Sequence, residues 1–292
     1  MKRLYITDLD GTLLNREGRL SERTAGLLKA LIEDGALVTI ATGRSLPSLA
    51  EILGDCLPAL PVIVHNGARI GCLQTGEYLY SNAMQKGVLD EVLAKAFAHH
   101  FAPFLNAFGL EGDRFCYTLP ANRATEEYVL YRQSIMPEAV RQYRFRTDLA
   151  ELEVINLNII DDLRRLEAFQ ELIRSDCAPW VDVHITTDPS HSDIGWLTVG
   201  DSRSHKAQAI RALTALISQE PLHVTVFGDQ LNDIHMFEAA DRAIAVENAS
   251  PELLERAHEV IGPHWEDSVA RYIAAEWIAI GETDKEPPGA DG

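Results

Sequence analysis

Short apolar runs alternate with amphipathic stretches in the first third of the chain. The runs at 4–7, 36–41 and 61–65 have the length and continuity of buried strands. Between them, apolar residues recur at helical spacing over 21–35 and 46–53. The order strand, helix, strand, helix, strand is typical of parallel crossovers. We therefore expect an α/β fold with a doubly wound, mostly parallel sheet of Rossmann-like type.

The pattern changes after residue 68, where a hairpin is predicted over 68–80 with its turn at Thr75-Gly76. Helices and strands then follow in an order that includes adjacent strands, with helices predicted at 88–100, 124–133 and 163–175 and strands at 103–108, 115–119, 154–160 and 181–187. Adjacent strands without an intervening helix are typical of an antiparallel α+β unit. We therefore expect an inserted α+β domain at 84–193 in a core made of 1–83 and 194–292.

The parallel pattern returns near the end of the chain. An amphipathic helix is predicted at 207–217, a strand at 223–227, a helix ending at 239 and a strand at 242–246. Ser250-Pro251 then has the composition of a helix start, with a helix-capping serine and a proline in the first turn. These elements would complete the core that the first 83 residues begin.

Polar residues follow three of the predicted parallel strands. Asp8 and Asp10 come after the first strand, Thr42 and Gly43 after the second, and Asp229 through Asp233 after the strand at 223–227. Each strand end on its own is compatible with an ordinary loop. Ligands of open α/β sheets, however, bind at the carboxyl ends of the strands, so these residues should share one site. Converging carboxylates favour a hard cation such as Mg²⁺, and a hydroxyl and a lysine beside them suit a phosphoryl group.

Four motifs in this order resemble those of the haloacid dehalogenase superfamily of aspartate-nucleophile phosphohydrolases. They are Asp8-Leu9-Asp10-Gly11-Thr12, Thr42-Gly43-Arg44, Lys206, and Gly228-Asp229-Gln230-Leu231-Asn232-Asp233. The large α+β insertion between the second and third motifs resembles the Cof-type sugar-phosphate phosphatase branch. That resemblance implies a catalytic core and a cap domain that governs substrate specificity.

The resemblance also implies catalytic roles. Asp8 would be the nucleophile that forms an aspartyl phosphate, and Asp10 would act as general acid and then general base. Thr42 and the Gly43 N–H group would hold phosphate oxygens. Lys206 would neutralise negative charge on Asp8 and on the phosphoryl group.

Metal and substrate contacts are implied in the same way. Mg²⁺ would be held by Asp8, the backbone carbonyl of Asp10, and Asp229, with Asp233 completing the acidic set as an orienting group. Asn232 would lie close to the phosphate or to Lys206. Arg44 would contact the substrate.

Several of these residues have plainer interpretations. Lys206 could be a solvated residue at a helix start, with Arg203 as the substitute cation. Arg44 could form a structural ion pair instead of a substrate contact. Asn66-Gly67, which ends the third predicted strand, is compatible both with a plain turn and with a role in positioning the leaving group.

The composition of the chain limits the classes of binding partner that are expected. The 292 residues carry a net charge of −18, which argues against nucleic acid or an anionic membrane as a general partner. The widely spaced cysteines, Cys56, Cys72, Cys116 and Cys177, predict neither a zinc site nor a disulfide framework. With no signal-like segment and no apolar run of 18 residues, a cytoplasmic protein is expected. The oligomeric state is left open.

The functional hypothesis is a Mg²⁺-dependent phosphatase acting on a small phosphomonoester, such as a sugar phosphate or a related metabolite. One alternative is a phosphomutase of the same superfamily, which would produce isomerised phosphosugar without free phosphate. Another is a non-catalytic regulator that binds a phosphorylated metabolite. Such a regulator would not require both Asp8 and Asp10.

Overall fold

The computed structural model describes residues 1–54, 56, 58–110, 112–144, 146–188 and 191–283. The chain folds into two compact units, one formed by 1–81 together with the chain from 205 onward and one formed by 82–204. The last part of the predicted core range, 284–292, lies outside the described residues.

The first unit contains a five-stranded parallel sheet and a small antiparallel sheet. Its strands are β1 (Arg3–Thr7), β2 (Leu37–Ile40), β3 (Val62–Val64), β4 (Arg69–Gly71), β5 (Tyr78–Ser81), β12 (His223–Gly228), β13 (Arg242–Val246) and β14 (Glu259–Ile261). Its helices are α1 (Glu22–Glu33), α2 (Leu46–Leu53), α6 (Lys206–Ile217), α7 (Ile234–Ala239), α8 (Pro251–Leu254) and α9 (Ser268–Thr283). The predicted α/β class with a parallel core sheet is confirmed.

Strand β1 lies between β12 and β2 in the parallel sheet, whose order is β14-β13-β12-β1-β2. Leu4, Tyr5 and Ile6 have no exposed surface, as expected for a strand that is covered on both faces. Thr7 at the end of β1 is level with Ile40 of β2 and Phe227 of β12. The residues that follow these three strands therefore emerge at the same edge of the sheet.

The third predicted strand departs from the expected parallel arrangement. β3 pairs antiparallel with β4, and β4 pairs antiparallel with β5, so that these strands form a separate sheet. The connection of β3 with the strand before it is one parallel bridge, between Ala41 and Ile63. The chain turns back directly after β3, so that β4 pairs along one edge of β3. The predicted hairpin over 68–80 is present as β4 and β5.

The second unit is a six-stranded sheet of order β10-β11-β9-β6-β7-β8 with three helices. Its strands are β6 (Phe104–Gly109), β7 (Gly112–Tyr117), β8 (Val140–Gln142), β9 (Glu153–Asp162), β10 (Val181–Asp188) and β11 (His191–Asp201), and its helices are α3 (Lys86–Ala98), α4 (Arg123–Ile135) and α5 (Leu163–Cys177). All pairs are antiparallel except β7 with β8.

The division between the units differs from the sequence-based ranges. It falls at 81/82 and 204/205, whereas the sequence suggested 83/84 and 193/194. Strand β11 accounts for most of the difference, because it pairs with both β9 and β10 and so belongs to the second unit. Neither β8 nor β11 was predicted from the hydrophobic pattern.

Two further features of the described part of the chain are the apolar character of its helices and the state of its cysteines. There, no helix is both long enough and apolar enough to cross a bilayer. The four cysteines are free thiols, and Cys116 and Cys177 are buried.

We expect Ile6→Ala in β1 to lower the free energy of unfolding by about 2–5 kcal/mol, because a fully buried side chain in an interior strand is replaced by a cavity. Urea denaturation would measure the change. Leu216→Ala in α6 is the matched control, since that side chain is half exposed, and it should cost far less. Equal losses in both variants would contradict the complete burial of Ile6 in β1.

Candidate active site

Several of the predicted site residues lie close together because strands β1, β2 and β12 end at the same level of the sheet. Asp8 directly follows β1, and its N–H group donates to the carbonyl of Phe227 in β12. Ala41 donates to the carbonyl of Thr7, which extends the pairing to the start of the Thr42 loop. Asp229 directly follows β12. Asp8, Thr42 and Asp229 thus lie at one edge of the sheet.

Lys206, the first residue of α6, is buried between two carboxylates. Its Nζ lies 2.5 Å from Asp8 Oδ1 and 2.6 Å from Asp233 Oδ1. The lysine side chain has no exposed surface, and neither has that of Asp233. The alternative of a solvated lysine is therefore excluded. Arg203, the substitute considered from sequence, pairs with Asp201 within the second unit.

The electrostatics of this cluster follow from burial and proximity. Burial alone would lower the pKa of Lys206, but the adjacent Asp233 and Asp8 carboxylates outweigh it and raise the pKa above its ordinary value. Lys206 therefore carries its positive charge. Burial raises the pKa of Asp8, and the Lys206 ammonium group opposes that rise. A cation bound beside Asp8 would further favour its ionised form.

Asp233 uses both of its oxygens to hold other groups. One accepts from Lys206, and the other accepts from the backbone N–H groups of Asp229 and Gln230 at 3.0 and 3.2 Å. The loop after β12 closes tightly here, because a Cβ atom on Gly228 would lie 2.6 Å from Asp233 Oδ2. Asp233 therefore fixes the lysine and the Asp229 loop together.

Asp229 is held by the motif that carries Asp8. The Thr12 hydroxyl donates to Asp229 Oδ1 at 2.8 Å, and Gln230 Nε2 donates to Oδ2 at 3.1 Å. Burial raises the pKa of Asp229, while the Thr12 hydrogen bond opposes the rise. Gly11 has a φ of +78°, and its lack of a side chain leaves room for the Asp229 carboxylate. Thr12 had no role assigned from sequence, although it lies within the first motif.

Three of the four aspartates of the predicted metal site bring their carboxylates together in one cluster. Asp8, Asp229 and Asp233 are buried, and each has a carboxylate oxygen within 4.8 Å of the others. An all-oxygen donor set of this kind fits a hard divalent cation. The side chain of Asp10 is not part of the group and is half exposed.

Asp10 instead forms a two-pronged ion pair with Arg44. Arg44 Nε donates to Asp10 Oδ2 at 2.8 Å, and Nη2 donates to Oδ1 at 2.7 Å. This geometry orients the carboxylate, because the planar guanidinium group fixes both oxygens at once. The structure therefore joins the first and second motifs through these two side chains.

The Thr42 loop is kept in place by the turn that follows β3. Thr42 is buried, and its hydroxyl accepts from the Arg44 N–H group at 3.2 Å. The carbonyls of Thr42 and Arg44 accept from the N–H groups of Asn66 and His65. These backbone hydrogen bonds place Gly43 against the Asn66 side chain. A Cβ atom added to Gly43 would lie 3.0 Å from Asn66 Oδ1.

This turn, formed by His65, Asn66 and Gly67, has an unusual backbone. The φ angles of the three residues are +51°, +56° and +101°. Left-handed conformations are costly for residues other than glycine and often mark functional sites. Gly67 packs on the backbone just before α6, since a Cβ atom there would lie 2.7 Å from the Lys206 nitrogen. The turn thus contacts both the Thr42 loop and the start of α6.

The fourth motif reaches the same turn through Asn232. Its Nδ2 donates to Asn66 Oδ1 at 3.2 Å, although Asn232 itself is exposed. From sequence, Asn232 was expected near the phosphate or Lys206, and Asn66 was undecided between a turn and a positioning role. The signal available in the sequence was Asn-Gly directly after a strand.

Comparisons with known proteins agree with the predicted family. The sequence profile of the haloacid dehalogenase-like hydrolase family matches residues 5–273. The 5-amino-6-(5-phospho-D-ribitylamino)uracil phosphatase of Bacillus subtilis is 25% identical, with 91% of this chain and 95% of that protein covered. An HMP-PP phosphatase of Enterobacter sp. (strain 638) is 26% identical, with 95% and 96% covered.

Solved structures support the same fold. The crystal structure of TM0651 from Thermotoga maritima superposes with a TM-score of 0.75 and 22% identity, covering 94% of this chain and 97% of the other. BT1666 from Bacteroides thetaiotaomicron, described among phosphatases of the HAD superfamily, also gives 0.75 and 22%, covering 95% and 96%. The match extends over both units of the chain.

We expect Gly67→Ala to be much more destabilising than Gly76→Ala. Both glycines have positive φ, so both substitutions carry the left-handed cost of about 1 kcal/mol. Only the new Cβ atom at position 67 meets neighbouring backbone, whereas position 76 has open space. Urea denaturation of the two variants isolates this contact. Equal destabilisation would contradict the close packing of the turn on α6.

We expect Lys206→Met to lower the free energy of unfolding by about 3–5 kcal/mol at neutral pH, because two buried carboxylates lose their cation. The loss should shrink as the pH falls. The raised pKa of Asp8 means that its neutral form is reached on acidification, which removes the unpaired charge. Denaturation without divalent ions would measure this.

Arg256→Met is the control for Lys206→Met. It breaks an exposed ion pair with Glu238 and should cost about 1 kcal/mol or less. A Lys206 variant as stable as this control would argue against a buried charge cluster.

Proposed function

Because the chain belongs to the haloacid dehalogenase-like hydrolase family, in its Cof-type branch, we propose that it hydrolyses a small phosphomonoester with Mg²⁺ and an aspartyl-phosphate intermediate on Asp8. Phosphatase activity on a small phosphorylated substrate is the broader conclusion, and the family match and the named relatives support it. The metal, the intermediate and the residue roles are the proposal.

The observation that carries this proposal is the buried Lys206 held between Asp8 and Asp233. A buried charge that serves only stability is seldom an advantage over apolar packing, whereas perturbed ionisable groups are common at catalytic sites. Here the cation lies 2.5 Å from the carboxylate proposed as nucleophile. It would neutralise charge as a phosphoryl group approaches Asp8, and it would hold that carboxylate ready for attack.

The proposed reaction has two transfers. In the first, an oxygen of Asp8 attacks phosphorus, the ester P–O bond breaks, and Asp10 gives its proton to the leaving oxygen. In the second, Asp10 takes a proton from water as the water oxygen attacks phosphorus. The Asp8–phosphate bond then breaks and inorganic phosphate is released. Arg44 donates two hydrogen bonds to Asp10, which supports a role for Arg44 in orienting that carboxylate. This role is in addition to the substrate contact that the sequence predicts for Arg44.

Phosphate oxygens would be held by the Thr42 hydroxyl, the Gly43 N–H group and Asn232. These three belong to the loops that the His65–Gly67 turn contacts, as described above. Donors fixed before the substrate arrives need little reorganisation during the reaction, which favours transition-state binding.

Asp8 and Asp229 would hold the Mg²⁺ ion, together with the backbone carbonyl of Asp10. Asp233 belongs to the same acidic cluster, but its hydrogen bonds support an orienting role. When bound, the ion would supply positive charge that offsets the phosphoryl group's negative charge. Mg²⁺ and a cytoplasmic location remain predictions.

The substrate class is a small phosphorylated metabolite, such as a sugar phosphate. One relative is named for a phosphorylated ribitylaminouracil and another for HMP-PP, so the named substrates differ among proteins of similar sequence. We propose that the second unit, in the position of the family's cap, provides the selectivity within this class.

We expect Asp8→Asn to abolish release of inorganic phosphate from every member of a phosphomonoester panel, because the amide cannot act as the nucleophile. The wild-type protein should release phosphate with Mg²⁺ and lose this activity after chelation. Asp241→Asn is the matched control. That carboxylate is half exposed and accepts from the Val224 N–H group, which an amide oxygen also can do, so its activity should equal that of wild type.

Turnover retained in Asp8→Asn would disprove the proposed nucleophile. Wild-type activity that survives chelation would disprove the metal requirement. Isomerised phosphosugar without free phosphate would replace hydrolysis by a mutase reaction.

A further inference from the structure

The Asn66 side chain lies where the loops of the proposed phosphate site meet. Its amide packs on Gly43, where an added Cβ atom would be 3.0 Å from Oδ1 and 3.3 Å from Nδ2. Its Oδ1 accepts from Asn232 Nδ2. The next residue, Gly67, packs on the backbone of His205 and Lys206. The Asn66 amide therefore contacts residues of the second and fourth motifs, and the next residue, Gly67, contacts the third.

The hydrogen bond with Asn232 also fixes which way the amide faces. Because Oδ1 is the acceptor in that bond, Nδ2 is left as the donor end of the group. Within the described part of the chain, no hydrogen-bond acceptor lies opposite Nδ2. A partly buried amide thus presents two N–H groups beside Gly43.

The backbone at this position is left-handed, a conformation that asparagine tolerates better than most residues. Asn66 has φ +56° and ψ +28°, and it lies between two other residues of positive φ. Such conformations persist where the surroundings enforce them, and here the backbone bonds with Thr42 and Arg44 and the contact of Gly67 with His205 do so. The consequence is an amide with a fixed direction.

We propose that Asn66 is a phosphate-binding residue whose Nδ2 donates a hydrogen bond to an oxygen of the substrate's phosphoryl group. This rests on the proposed function, since it assigns a ligand to the same site. A tetrahedral oxyanion is the ligand chemistry that suits these donors, because Gly43 supplies a backbone N–H group and Asn66 two amide N–H groups side by side. Asn232 then acts both as a neighbour of the phosphate and as the group that orients Asn66.

Asn66→Asp tests this donor directly. The carboxylate keeps an oxygen to accept from Asn232 and tolerates the left-handed backbone, but it has no N–H group and adds a negative charge. We expect the affinity for inorganic phosphate, measured by calorimetry with Mg²⁺ present, to fall by about 10- to 100-fold or more. Inorganic phosphate has no leaving group, so the loss reports a contact with the phosphoryl oxygens.

Asn66→Gly separates the lost donor from the added charge. Glycine adopts positive φ freely, so the turn keeps its shape while the amide is removed. Its phosphate affinity should fall by about 10-fold. Gln219→Glu is the control for net charge. That exposed residue follows α6, a 12-residue helix about 18 Å long that begins at Lys206, and its affinity should equal that of wild type.

The outcomes are distinct. If either Asn66→Asp or Asn66→Gly binds inorganic phosphate as wild type does, the donor assignment is wrong. Unchanged phosphate affinity with a higher KM for phosphomonoesters would mean contact with the leaving group, which also overturns it. If Asn66→Asp alone binds normally, Asn66 acts through Asn232 as a positioning residue. A wild-type protein that neither binds nor releases phosphate would instead refute the proposed function.

Discussion

The ion pairs of Lys206 with Asp8 and Asp233 are the interaction on which the site depends. The two carboxylates compensate the buried ammonium group of Lys206, and removing either side would leave buried polar groups without their partners. The triad also connects three separate parts of the chain, namely the end of β1, the start of α6 and the loop after β12. The buried charges of the candidate site therefore also hold these three parts of the chain together.

The shared register of three strands brings further residues next to these ion pairs. Thr7, Ile40 and Phe227 share one register, so the next residues of each strand leave the sheet together. Small residues make the approach possible at two points, where Gly11 admits Asp229 and Gly43 admits Asn66. The His65–Gly67 turn then limits how far the Thr42 loop and α6 can separate. Two long side chains, Lys206 and Arg44, bridge the remaining distances.

Much of this was predictable from the sequence, because periodicity and residue order report local structure directly. The limits of β13 and α2 were predicted to the residue, and the strand-end motifs indicated the family. Strand β11 was not predicted. Leu197 and Val199 alternate with Trp196 and Thr198, as in a strand, but the glycines at 195 and 200 resemble loop residues. The Asp10–Arg44 pair and the orientation of Asn66 depend on side-chain contacts between distant segments, which no local pattern encodes.

The long sequence separation within the central sheet has a consequence for synthesis of the chain on the ribosome. β1 emerges before its partner β12, which ends at Gly228, after the whole of the second unit has been made. Until then one edge of an apolar strand has no neighbour, and such edges are prone to mispairing. The second unit, by contrast, is continuous in sequence. Translation thus produces the strand that precedes Asp8 well before the strand that completes its pairing.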